Sequence, residues 1–325
     1  MTSLSRRHAL IGAAMPLFST RARAAGQPPR IGFLTAQKPA SIALSLPFFR
    51  AGLADEGFAE GRDLTIEYRY GEDSLDRVAD LARELVALRV ELLVVQGPAV
   101  ARVAAMNPPV PIVYVTSSDP VASGYATSLA QPAGNKTGLT FMAFEFASKR
   151  LEMLREVMPT VERVAVFGNP EHLGTESERQ FSENSGRLLG MDVRFHPTSV
   201  RAELDEACDR VTRDKIQAIS LLADGFAVQN RQIVLDFAVS QHIPVISGWP
   251  VFARSGALFS YGPRLEACYR RLAYYVARVL RGARPSDLPI ERPSVFQTVV
   301  NRTTASKLGL GVPRAFLARA DEVIG

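Results

Sequence analysis

The chain has 325 residues, 47% hydrophobic and 22% charged, the balance of a globular protein rather than a disordered or membrane-embedded one. Its formal net charge is +5, but Arg6, Arg7, Arg21 and Arg23 lie within the first 24 residues, which hold no acid; subtracting those four leaves +1. That is too little for the basic footprint of a nucleic-acid binder, so no nucleic-acid partner is expected.

Residues 1–24 read as an export signal. Ser5-Arg6-Arg7 starts it with charge, Ala9–Phe18 is a short apolar run, and Ala22-Arg23-Ala24 has the small-x-small spacing that signal peptidase reads. The apolar run is about half the ~20 residues that span a bilayer, so cleavage near Ala24 and a soluble periplasmic product are expected. Ser5-Arg6-Arg7 fits the twin-arginine route, and Ala9, where that motif usually has Phe, leaves ordinary Sec export equally open.

Strands and helices then alternate. Arg30–Leu34 predicts a strand, Phe48–Glu56 a helix closed by Gly57, Leu64–Tyr70 a strand, and Leu75–Arg89 a helix with Val78, Leu81, Ala82, Leu85 and Leu88 on one stripe. Glu91–Val95 is a continuous apolar run suited to a buried parallel strand. Pro98–Met106 predicts a helix and Pro111–Val115 a strand. Ala126–Phe141 is rich in turn residues, with Gly138–Phe141 expected as a strand between lobes. A second series follows: helices at Phe146–Met158, Glu176–Leu189, Glu203–Arg213 and Ala227–Gln241, and strands at Arg163–Phe167, Asp192–Phe195, Ala218–Leu222 and Pro244–Ile246. Leu258–Gly262 is expected to return the chain to the first lobe, where helix Leu265–Leu280 packs. Pro285–Pro293 reads as a linker and Phe296–Asn301 as a final crossing strand.

This pattern predicts an α/β protein of two doubly wound parallel-sheet, Rossmann-like lobes. The first lobe takes residues 30–120 and 262–290, and the second takes 140–258 and 300–325. Residues 121–139 and 285–300 cross between them. Three crossovers make a hinge that can close on a ligand. Cys208 and Cys268 sit in helical stretches and are expected as buried free thiols.

Several segments resemble one family. They are Phe49-Arg-Ala-Gly-Leu-Ala-Asp-Glu-Gly-Phe58, Glu60-Gly-Arg-Asp-Leu-Thr-Ile-Glu-Tyr-Arg69, Pro111-Ile-Val-Tyr-Val-Thr-Ser-Ser-Asp-Pro-Val121 and Leu129-Ala-Gln-Pro-Ala-Gly-Asn-Lys-Thr-Gly138. Lys149-Arg-Leu-Glu-Met-Leu154, Ser260-Tyr-Gly-Pro263 and Leu317-Ala-Arg-Ala-Asp-Glu-Val-Ile324 follow in order. Together they resemble the substrate-binding proteins of ABC transporters, in the tryptophan/tyrosine-binding (TrpX-like) group. The resemblance implies a type I periplasmic-binding fold, a small polar solute such as an amino acid, delivery to an inner-membrane ABC permease, and a monomer without cofactor, metal or enzymatic activity. A sensor that presents its bound ligand to a receptor is the alternative, followed by an exported enzyme on the same fold.

In open parallel sheets, ligands bind beyond the carboxyl ends of the strands. Those ends nominate Thr35 after the first strand, Gln96 after the third, and Thr116, Ser117, Ser118 and Asp119 after Pro111–Val115. Hydroxyls and backbone N–H groups there can hold a carboxylate. Asp119 can accept from an ammonium group, or it caps a helix that starts at Pro120. The second lobe offers Asn169, which otherwise makes a turn. It also offers Asp224, as partner to an ammonium or as a cap, and Trp249, as an aromatic platform or as core. Tyr261 reads as hinge or pocket wall, chiefly because Ser-Tyr-Gly recurs in the family. No paired His/Cys zinc spacing is present, and no G-x-S-x-G elbow. Gly134-Asn-Lys-Thr137 lacks the glycine that a P-loop has directly before its lysine.

Overall fold

The computed structural model describes residues 28–325 apart from 133, 173 and 223; the export signal expected at residues 1–24 lies outside them. In chain order, β1 (Arg30–Thr35), α1 (Pro39–Ile42), α2 (Leu46–Asp55), β2 (Thr65–Tyr70), α3 (Val78–Ala87), β3 (Leu92–Gln96), α4 (Ala99–Met106), β4 (Ile112–Thr116) and β5 (Lys136–Thr140) build a first lobe. Its sheet is wholly parallel, in the order β2-β1-β3-β4-β5.

A second lobe follows: α5 (Ala143–Val157), β6 (Arg163–Gly168), α6 (Thr175–Leu188), β7 (Asp192–Pro197), α7 (Arg201–Arg213), β8 (Ala218–Leu221), α8 (Gly225–Ser240), β9 (Val245–Ser247), α9 (Pro250–Ser255) and β10 (Phe259–Pro263). The chain then returns to the first lobe as α10 (Leu265–Leu280). It ends in the second lobe as β11 (Phe296–Asn301), α11 (Arg302–Lys307), α12 (Arg314–Ala318) and β12 (Glu322–Ile324). The second sheet runs β12-β11-β10-β9-β8-β6-β7, parallel except where β10 meets β11.

The apolar runs become central strands because both faces of each sheet are covered. Alternate residues of one strand join opposite cores. Leu92 and Val94 pack with Phe49, Leu53, Leu272 and Val276 under α2 and α10. Leu93 and Val95 pack with Leu85, Val100 and Val103 under α3 and α4. In the second lobe, Ile219 and Leu221 face α7 and α8, while Ala218 and Ile246 face α5 and the C-terminal helices.

Gly52 permits a close helix contact in the first lobe. A Cβ there would lie 2.8 Å from the Arg270 Cα and 2.9 Å from the Ala273 Cβ. Glycine lets α10, which arrives from late in the chain, sit against α2. Cys208 lies in the second lobe's core and Cys268 in the first's, both unpaired and buried. Burial pushes their thiols up to about 11 and about 12.

Two segments lie elsewhere than expected. Leu258–Gly262 does not itself return to the first lobe. As β10 it is a central strand of the second sheet, between β9 and β11, with Phe259 packed on Phe316 at 5.4 Å. The crossing comes immediately after it. Lys136–Thr140 is the edge strand of the first sheet, and the chain crosses only beyond Phe141.

The third crossing is tied to its neighbours. Glu291, on it, donates its N–H to the Gly138 carbonyl (3.0 Å) and accepts from Thr140 N–H (2.9 Å), both on β5 just before the first crossing. The second joins the third where Arg264 N–H donates to the Val295 carbonyl at 3.0 Å. Arg271 grips the Glu291 carboxylate through two contacts of 2.7 and 2.6 Å, which holds that carboxyl below its usual range.

Candidate functional site

The carboxyl ends of both sheets open on one cavity of about 390 Å³ between the lobes. The first lobe contributes Gln37 beyond β1, Gln96 and Gly97 at the end of β3, and Thr116 and Ser117 at the end of β4. It also supplies Ser45 and Phe48 from the start of α2, and Tyr269 from α10. The second contributes His172 beyond β6, Asp224 beyond β8, Val228 on α8, and Trp249 beyond β9. The lining thus joins hydroxyls, amides and the Asp224 carboxylate to the aromatic rings of Phe48, Phe141, Trp249 and Tyr269, and Arg254, Arg264 and Glu266 add charge to it.

Asp224 is 4% exposed. It caps α8, its Oδ1 accepting from Ala227 N–H at 2.9 Å, while Oδ2 accepts from Asn169 N–H at 3.4 Å. Burial raises its pKa above the ordinary carboxylate value, against the opposing pull of His172 and those backbone donors. A buried carboxylate facing a cavity is best compensated by a cation, and the polar cavity end makes room for one.

Near enough for Glu178 to feel the charge of Asp224 lies a charged pair, Arg150 and Glu178, joined at 3.2 Å and almost wholly buried. Burial lowers the Arg150 pKa and raises that of Glu178. Tyr269 brings a phenol to the aromatic wall. Burial pushes its pKa up to about 12, and hydrogen bonds with Ser45 and Gln96 work in the opposite direction.

Of the ten residues that the sequence nominates, Gln96, Thr116, Ser117, Asp224 and Trp249 line this cavity. The other five stand off it. Thr35 is fully buried and donates to Gln96 Oε1 at 2.7 Å, fixing that amide from behind. Ser118 is buried between Thr116 Oγ1 (2.9 Å) and the Tyr125 hydroxyl (2.8 Å). Asp119 caps the turn after β4, accepting from Val121 N–H at 2.8 Å. Asn169 makes a turn through Glu171 N–H at 2.9 Å. Tyr261 stacks on Phe296 and meets Phe146 edge-on, lining a different groove beside Lys149 and Phe316.

Sequence reasoning passed over Gln37, Ser45, Phe48, His172 and Tyr269. Gln37 and His172 follow strand ends, so the rule that nominated Thr35 and Asn169 reaches them two and three residues further on. Phe48 and Tyr269 lie on helices whose apolar pattern marks them only as core.

The lobes also touch beside the cavity. Gln229 Nε2, on α8, donates to Ser41 Oγ, on α1, at 2.6 Å. Gly225 packs against the Gln37 side chain, and Gly174 against the Ser117 backbone.

Comparison with known proteins follows this architecture. A tyrosine-binding protein of Clostridioides difficile (strain R20291) is 21% identical over 264 residues, covering 81% of this chain and 75% of its own. A crystal structure from Streptococcus pneumonia, described as an ABC domain in complex with L-Trp, superimposes with a TM-score of 0.83 at 22% identity. It covers 92% of this chain and all of the other. A conserved domain protein from Vibrio cholerae gives a TM-score of 0.84 at 23% identity, over 91% of this chain and all of the other. The two lobes with crossed connections are the type I periplasmic-binding fold. The family model for ABC transporter substrate binding proteins matches residues 41–324, so the chain belongs to that family.

Proposed function

We propose that the cleft captures a small solute bearing an amino group and an apolar or aromatic body, an amino acid or close relative, and releases it unchanged to an ABC permease outside the cytoplasm. The observation that carries this is Asp224, a buried carboxylate on the cavity wall. It belongs to one lobe, whereas the Thr116–Ser117 loop belongs to the other. A ligand ammonium satisfies the first and a ligand carboxylate the second, leaving the side chain among Phe48, Trp249 and Tyr269. Contacts from both lobes give the ligand the differential affinity that favours closure. The ligands of the two relatives, tyrosine for the one and L-Trp for the other, are of this chemistry. The protein acts as a monomer, exported by the signal in residues 1–24.

A thermal-shift screen of residues 25–325 against amino acids, organic acids, nucleobases and sugars tests the class. A ligand at a hundredfold excess over Kd adds ~2.7 kcal/mol of stability. Hits confined to amino acids, recovered unconsumed, are expected. Hits confined to sugars or nucleobases, or consumption of a hit, would overturn the reading.

A further inference from the structure

We propose that Gln37 and Gly225, with Ser41 and Gln229 beside them, form a latch that holds a fraction of the molecules closed before any ligand arrives, so that Gln37 and Ser41, which also line the cavity, and their partners across the cleft set affinity through the closed fraction. The latch takes its purpose from the capture reading above, but its existence is separately testable.

The contact is built in matched register. Gln37 and Ser41 are four residues apart on the first lobe, and Gly225 and Gln229 are four apart on one face of α8. Gln37 meets Gly225, and Ser41 accepts from Gln229 at 2.6 Å. Gly225 is absent from the positive-φ positions, so its backbone does not call for glycine. What Gly225 makes room for is the end of the flexible Gln37 side chain, which comes from the other lobe. A Cβ at 225 would fall on the Gln37 amide nitrogen and lie 3.3 Å from its Cδ.

Gln37 is anchored on its own side. Its N–H donates to Thr35 Oγ1 at 3.2 Å, and Thr35 in turn holds Gln96. The Gln37 side chain lines the cavity as well, so one residue faces both the ligand space and the opposing lobe. When only a fraction of molecules is competent, apparent affinity falls by that fraction, so a pre-closed population tightens capture.

The test uses residues 25–325 with nitroxide labels on D80C and L188C. Both positions are exposed, one on each lobe, and the native cysteines are buried. Double electron–electron resonance then reads the lobe separation. Ligand-free protein is expected to show two distance populations, the shorter being the closed form. Gly225→Val should reduce the closed population at least tenfold with little change in melting temperature. Gln37→Gly in the Gly225→Val background should restore it, a rescue that a loss of folding would not allow. L-tyrosine and L-tryptophan serve as probes, and their affinities should follow the closed fraction between the unsubstituted chain and Gly225→Val, whose substituted position is not on the cavity lining.

A single open distance in the ligand-free protein, an unchanged population in Gly225→Val, or no rescue by Gln37→Gly would each overturn the latch. If neither probe binds the unsubstituted chain, the amino-acid reading is what fails, and the distance comparison still decides the latch.

Discussion

Asp224 concentrates the chemistry of the site in one side chain. As the cap of α8 it is held by backbone donors, so Asp224→Asn keeps a capping oxygen while removing the charge. The substitution should weaken an amine-bearing ligand by about 1.5–3 kcal/mol in titration calorimetry, the range for hydrogen bonds to charged groups; unchanged affinity would remove Asp224 from the ligand contacts. Because burial raises its pKa, the empty site keeps its proton to a higher pH than an ordinary carboxyl. An incoming ammonium favours the ionised form, so binding should release protons and weaken as pH falls through that raised pKa. Titrations in buffers of different ionisation enthalpy count those protons, and Asp224→Asn should abolish the release.

His196 governs stability instead. Its ring nitrogens are buried without hydrogen-bond partners among the described residues, and burial lowers its pKa, with Arg210 acting in the same direction. The unfolded chain takes up the proton near pH 6.5 and the folded chain resists it, so stability should fall as pH drops below that value. Chemical denaturation of His196→Leu at several pH values should show a flatter dependence than the unsubstituted chain.

Strand ends were legible at this scale, and side-chain direction was not. The rule of carboxyl ends found Gln96, Thr116 and Asp224. It could not show that Thr35 and Ser118 turn inward to hydrogen-bond Gln96 and Thr116, because that depends on which face of the pleat each residue occupies.

At the scale of elements, the alternation of apolar runs and amphipathic stripes placed the eight longer helices and every strand but β12, since each central strand is covered on both faces; α1, α9, α11 and α12, of six residues or fewer, are too short to show a stripe. Long-range pairing was harder to read. Ser260-Tyr-Gly-Pro263 looks like a crossing because it precedes a helix of the first lobe. What fixes it in the second sheet is its pairing with β9 and β11, and β11 lies more than thirty residues further along. Tyr269 reaches the cavity for a related reason, through the packing of α10 on α2. That packing depends on Gly52. Gly52→Val should push the helices apart and cost about 1–3 kcal/mol, the range for overpacked cores. A lower urea midpoint with an unchanged slope is the expected result, and an unaltered midpoint would show that the helices separate freely.

At the scale of the molecule, tied crossovers, two separately cored lobes and contacts across the cleft make a body with one main freedom, the angle between lobes. The Arg271–Glu291 grip and the Glu291 backbone bonds anchor the third crossing to α10 and β5 of the first lobe, and the Arg264–Val295 bond joins it to the second crossing. The near-neutral charge beyond residues 1–24 fits recognition by local groups rather than by long-range field.

The central claim is that this freedom serves capture of an amino-bearing solute. It is tested most directly by titrating L-tyrosine and L-tryptophan, in separate experiments, into residues 25–325 in a calorimeter and then assaying the recovered ligand. Saturable binding of at least one at a single site, with the ligand returned intact, is the result this account predicts. Absence of binding by both, or a chemically altered ligand, would contradict it.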